Sequence, residues 1–74
     1  MIDDLKTHTR DLLAGNLKAA RLRNGMTQGQ LEATSGVARQ TIRQIETSQS
    51  SATVDTLGKL AQALNISLYV LFLK

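Results

Sequence analysis

Apolar residues recur every three or four positions along this chain, in short runs closed by residues that tolerate a left-handed backbone. Leu13, Leu17 and Ala20 share one side of a helix, and Asn24-Gly25 closes that run. The spacing predicts a helix over roughly 10–23. Thr27 is a favourable N-cap and Gln30, three residues on, completes a capping box. A second helix is expected over 28–34, ended by Ser35-Gly36. Ala38, Ile42 and Ile45 repeat at 0, 4 and 7, which puts one apolar stripe on a third helix. After the polar loop TSQSS, Thr53 caps a fourth run with Val54, Leu57, Leu60, Ala61 and Leu64 on one side, and Asn65 can end it in the left-handed conformation. Proline, internal repeats and low-complexity blocks are absent. The body is all-α, with short turns between helices.

The last nine residues, ISLYVLFLK, admit two solutions. Leu68, Leu71 and Phe72 suit a final helical turn, which is preferred, whereas Ile, Tyr, Val and Phe crowded together also suit a strand. Residues 1–74 make a single domain, with 1–9 as an N-terminal arm and 66–74 as a candidate dimerisation tail. A chain of this size buries only about 60% of the surface its unfolded form exposes, so self-association would add useful stability. The absence of cysteine excludes a disulfide framework and a cysteine zinc site. MIDDLKTHTR has no apolar core of a secretory signal, and the run Leu68–Leu73 is too short to span a bilayer. A cytoplasmic protein is expected.

The net charge of +3 permits a nucleic-acid partner without demanding one. Placement says more. Between residues 12 and 46, Lys18, Arg21, Arg23, Arg39 and Arg43 face only Glu32 and Glu46. With Ala38, Ile42 and Ile45 turned inward, Arg39, Gln40, Arg43 and Gln44 fall on the opposite side of the third helix. Arginine can bridge O6 and N7 of guanine, and glutamine N6 and N7 of adenine. A solvated face is the plain alternative, but it would ordinarily carry Glu or Lys, and this one carries neither. His8 has no second histidine or cysteine to share a metal and no nucleophile to serve, so no metal, cofactor or catalytic role is expected.

The run RLRNGMTQGQLEATSGVARQTIRQIE, followed by VDTLGKLAQALNISLYVLF, resembles the helix-turn-helix domain of Cro and phage-repressor type, the Xre-like regulators. Its specific parts are Met26-Thr27-Gln28, Leu31, Gly36-Val37, Thr41-Ile42, Ile45-Glu46, Asp55-Thr56-Leu57 and Ala61-Leu64. The resemblance implies a lambda-repressor-like bundle of five helices, with the third in the major groove and the second across the backbone. It assigns Arg39, Gln40 and Gln44 to bases, Arg43 to a base or a phosphate, and Thr27, Gln28, Thr47, Ser48 and Gln49 to phosphates. It also implies an ion pair between Arg21 and Glu46. The expected protein is a homodimeric repressor of a palindromic operator, nucleoid-associated and not an enzyme.

Several positions depart from the family pattern. Glu32 stands where a small residue is usual, and its stem could turn outward at the expense of the fit between two helices. Gly29 inside the second helix costs up to about 1 kcal/mol relative to alanine. Thr47-Ser48-Gln49 replaces a frequent Asn-Gly-Lys and removes a phosphate-seeking charge. Tyr69 and Val70 stand where acids are usual, which suggests that Leu68, Tyr69, Val70 and Phe72 form a dimer contact. The alternative function is a protein-interaction module, such as an antitoxin whose apolar tail holds a toxin.

Overall fold

The computed structural model describes the backbone of residues 2–50 and 52–74, with side chains from Thr7 onward. Four α-helices follow one another, α1 (Ile2–Arg23), α2 (Gln28–Ser35), α3 (Arg39–Glu46) and α4 (Val54–Ala63), and a 3₁₀ helix over Leu68–Phe72 closes the chain. No strand occurs among the described residues. The bundle therefore has four α-helices rather than five, its fifth element being a single 3₁₀ turn.

α1 starts eight residues before its expected boundary, so residues 2–9 continue a helix instead of forming an arm. At 1.5 Å per residue its 22 residues span about 33 Å, most of the 37 Å long axis of the molecule. α1 is the spine: α3 and the 3₁₀ helix pack on it, while α2 packs on α3 and α4.

Every element sends at least one fully buried side chain to the core: Leu17, Leu31, Ile42 and Ile45, Leu60 and Leu71, with Leu64 at the end of α4. Each such residue contributes about 1.5–3 kcal/mol relative to exposure. Two expected core positions are not inside. Ala38 is the exposed N-cap of α3, with φ −56° and ψ 139°, so the helical count begins one residue later and Val37 is buried in its place. Val54 opens α4 and is 69% exposed, at the rim of the bundle.

The left-handed stops decide where the helices end. Gly25, Gly36, Ser48 and Asn65 all have positive φ, at 67°, 78°, 61° and 56°. At Gly25, Ser48 and Asn65 the next residue donates five residues back, Met26 to Arg21, Gln49 to Gln44 and Ile66 to Ala61, at 2.9–3.1 Å. These are Schellman ends, which satisfy carbonyls the helix leaves open. The tail takes the helical solution in its tighter 3₁₀ form. Asn16 of α1 holds it there, donating through Nδ2 to the carbonyls of Leu71 and Leu73 at 2.9 and 2.6 Å.

Candidate nucleic-acid interface

The α2-turn-α3 unit is built from local signals. Thr27 Oγ1 accepts from the Gln30 N–H at 3.0 Å, and the Thr27 N–H donates to Gln30 Oε1 at 2.8 Å, a reciprocal capping box. Gly36 then reverses the chain, its N–H bonded to the Glu32 carbonyl at 2.9 Å. Ser35 Oγ accepts from the Val37 N–H at 3.1 Å. Ile42 and Ile45 anchor α3 with no exposed surface. That leaves Arg39, Gln40 and Arg43 exposed on its outer face, with Gln44 half-buried at the edge.

The far end of α3 is tied to α1. Arg21 Nε and Nη2 donate to Glu46 Oε2 and Oε1 at 2.7 and 2.9 Å, a bidentate pair, and Nη1 donates to the Met26 carbonyl at 2.8 Å. The two side chains are only 9% and 3% exposed. The hydrogen bond to Glu46 holds the Arg21 guanidinium above its ordinary pKa, against an opposing effect of burial and with added attraction from the carboxylate. A cation whose folded pKa is raised stabilises the fold below its unfolded pKa and loses that effect only as pH rises through the folded one, here at strongly alkaline pH.

The expected phosphate contacts fall in two groups. The Gln28 side-chain amide is turned inward, donating to Glu46 Oε1 at 3.2 Å. Its backbone N–H, at the first position of α2, has no intrahelical acceptor and is the group left for an anion. The Thr47 hydroxyl donates back to the Arg43 carbonyl at 2.8 Å, so it closes α3 rather than reaching outward. Ser48 is half-buried and Gln49 exposed beside it.

The outer face of α3 carries no acid of its own, but an acid of α2 stands beside it. Glu32 of α2 reaches the start of α3, where Oε2 accepts the Arg39 backbone N–H at 2.9 Å and Oε1 lies 3.7 Å from Arg39 Nε. Ala38 offers no side-chain cap, so Glu32 supplies one from the neighbouring helix. Its carboxylate is turned to α3 rather than away from it. Gly29 also gains a reason: a Cβ there would lie 2.7 Å from Arg39 Nη2 and 3.1 Å from Cζ. Glu32, Gly29 and Asn16 were not legible as partners, because a contact between helices leaves no periodic signal. In the tail, Tyr69 and Phe72 are exposed, Leu68 and Val70 half-buried, and Leu71 is in the core.

Comparison with known proteins accords with this geometry. The helix-turn-helix family model HTH_3, of Cro/C1 type, matches residues 17–71. A curated relative from Sinorhizobium fredii (strain NBRC 101917 / NGR234), the uncharacterized HTH-type transcriptional regulator y4dJ, is 40% identical over 58 residues, covering 78% of this chain and 75% of that protein. An HTH_3 family transcriptional regulator from Vibrio cholerae superposes with a TM-score of 0.86 at 30% identity. That match covers 90% of this chain but only 38% of the longer Vibrio protein. The restriction-modification controller protein C.Esp1396I, solved as a tetramer in complex with its natural 35 base-pair operator, gives a TM-score of 0.78 at 30% identity, over 86% of this chain and 84% of its own. The chain belongs to the HTH_3 family of helix-turn-helix transcriptional regulators, a family of DNA-binding proteins rather than enzymes. Among the described residues, no helix is long and apolar enough to cross a membrane.

Proposed function

We propose that this chain is a homodimeric regulator of transcription in the cytoplasm, associated with the nucleoid, that binds a palindromic operator and represses from it. In this reading α3 enters the major groove and Arg39, Gln40, Arg43 and Gln44 meet base edges. Thr27, the Gln28 backbone and residues 47–49 approach the phosphates. The observation that carries it is the outer face of α3, where long planar donors stand exposed on a helix fixed from behind by Ile42, Ile45 and the Arg21–Glu46 pair. The likeness to a controller solved on its operator supports the same reading.

Dimerisation draws on the tail. Tyr69 is 66% exposed and Leu73 50%, next to Phe72, a patch that a second copy would cover. Nothing distinguishes a toxin as the occupant of that surface, so the antitoxin alternative is not carried further. Selection from a random duplex library at two salt concentrations tests the function. A palindrome with half-sites about one turn, roughly 34 Å, apart is expected, with affinity falling as salt rises. Retention without an enriched sequence would overturn base reading. Val70→Glu should move the protein toward monomer in sedimentation equilibrium, and an unchanged mass would remove the tail from the interface.

A further inference from the structure

We propose that Glu32 and Gly29 of α2 set the direction from which Arg39 meets its base pair, so that Glu32 is a positioning residue for specificity without itself touching DNA. The inference rests on the reading of α3 as the base-reading helix.

α2 meets Arg39 at both ends, holding its backbone and biasing its head. Its backbone N–H is held by Glu32 Oε2 at 2.9 Å, and its Nε lies 3.7 Å from the other oxygen of the same carboxylate. The edge of the guanidinium formed by Nε and Nη2 faces Gly29, where an added Cβ would meet Nη2 at 2.7 Å, Cζ at 3.1 Å and Nε at 3.4 Å. Only the absence of a side chain at Gly29 lets the head lie there. With its Nε and Nη2 side against α2, the head is left to meet a partner by its other edge.

The energetics point to orientation and not to stability. The Arg39 side chain is 65% exposed and that of Glu32 41%. A pair so open and so long adds little to the fold. A carboxylate beside DNA also repels phosphates, so its presence lowers general affinity. What it supplies is preorganisation: an arginine already seated loses less rotamer freedom on docking and meets the base from one direction. Gly29, in the first turn of α2, leaves the space this seat takes up.

Two substitutions separate this role from a structural one. Glu32→Gln keeps an oxygen for the Arg39 N–H but removes the charge that holds the guanidinium. Gly29→Ala favours helix formation while displacing only the flexible end of Arg39. The selected operator would be varied one base pair at a time and bound by the parent and both variants, after circular dichroism shows each folded. Discrimination should fall by about tenfold at one base pair per half-site in both variants and hold elsewhere. The affinity of Glu32→Gln for non-specific duplex should rise. In an Arg39→Ala background, Glu32→Gln should change nothing further at that base pair. Parent-like discrimination in both variants overturns the inference and leaves base reading intact. A uniform loss at all positions also overturns it, since it marks a structural role. If the parent itself selects no sequence, the function reading and this inference fall together.

Discussion

α3 is held at each end by an arginine–glutamate pair, and the two pairs differ in almost everything but chemistry. At the C-terminal end Glu46 meets Arg21 of α1 at 2.7 Å with side chains 9% and 3% exposed. At the N-terminal end Arg39 meets Glu32 of α2 at 3.7 Å with side chains 65% and 41% exposed. Removal from water makes the first pair all-or-nothing, because either charge alone would be stranded in the interior. Water competes for the second at every moment. One pair fixes where α3 sits, and the other can only bias where a side chain points.

The largest effect should come from breaking the buried pair. Glu46→Ala leaves the Arg21 cation buried and removes the acceptor of the Gln28 amide as well, so a loss of about 3–5 kcal/mol is expected in urea unfolding. A loss below about 1 kcal/mol would show that α3 is held by Ile42 and Ile45 alone, and the contrast between the pairs would collapse.

Removing the exposed cation should give the reverse pattern. Arg39→Ala is expected to change stability by no more than about 1 kcal/mol, yet to weaken operator binding by about 1–3 kcal/mol at one or two base positions. Equal losses on every duplex would place Arg39 on the backbone. Removing the exposed acid is a smaller perturbation again. Glu32→Ala deletes the cap on the Arg39 N–H, and about 1 kcal/mol of stability should go with it, as at an ordinary N-cap. High salt should weaken the contribution of the surface pair while sparing the buried one.

The two ends of α3 were unequally legible in the sequence. Thr27 with Gln30, and the stops at Gly25, Gly36 and Asn65, are local rules written in adjacent residues, and the structure realises each of them. The Arg21–Glu46 pair became visible only through family resemblance, since no spacing rule joins residues 25 positions apart. The seat of Arg39 had no such guide. Glu32 and Gly29 were read as misfits in α2, because their purpose lies on another helix and depends on how the Gly36 turn aims it. The early start of α1 leaves no mark in the sequence, because its first turns lack the apolar period that begins at Leu13. The tail admits two solutions for a different reason: Ile, Tyr, Val and Phe suit a strand as Leu68, Leu71 and Phe72 suit a helical turn, and anchoring through Leu71 and Asn16 goes with the helical one.

The buried pair also bears on the turn that follows it. Ser48 adopts φ 61° two residues after Glu46, in the same Schellman geometry that glycine supplies at Gly25 and asparagine at Asn65. Serine has neither the freedom of the one nor the tolerance of the other. A strained residue persists where its surroundings over-determine it, and Glu46, clamped to Arg21, fixes the chain entering this turn. Ser48→Gly should therefore stabilise the protein, by about 0.5 kcal/mol once the added freedom of glycine in the unfolded chain is set against the relieved strain. Chemical denaturation would measure it. In a Glu46→Ala background the gain should shrink, because a loosened α3 can relax the turn without help. A full gain in both backgrounds would mean that the strain at Ser48 is local to the loop, and that the clamp reaches no further than the helix it ends.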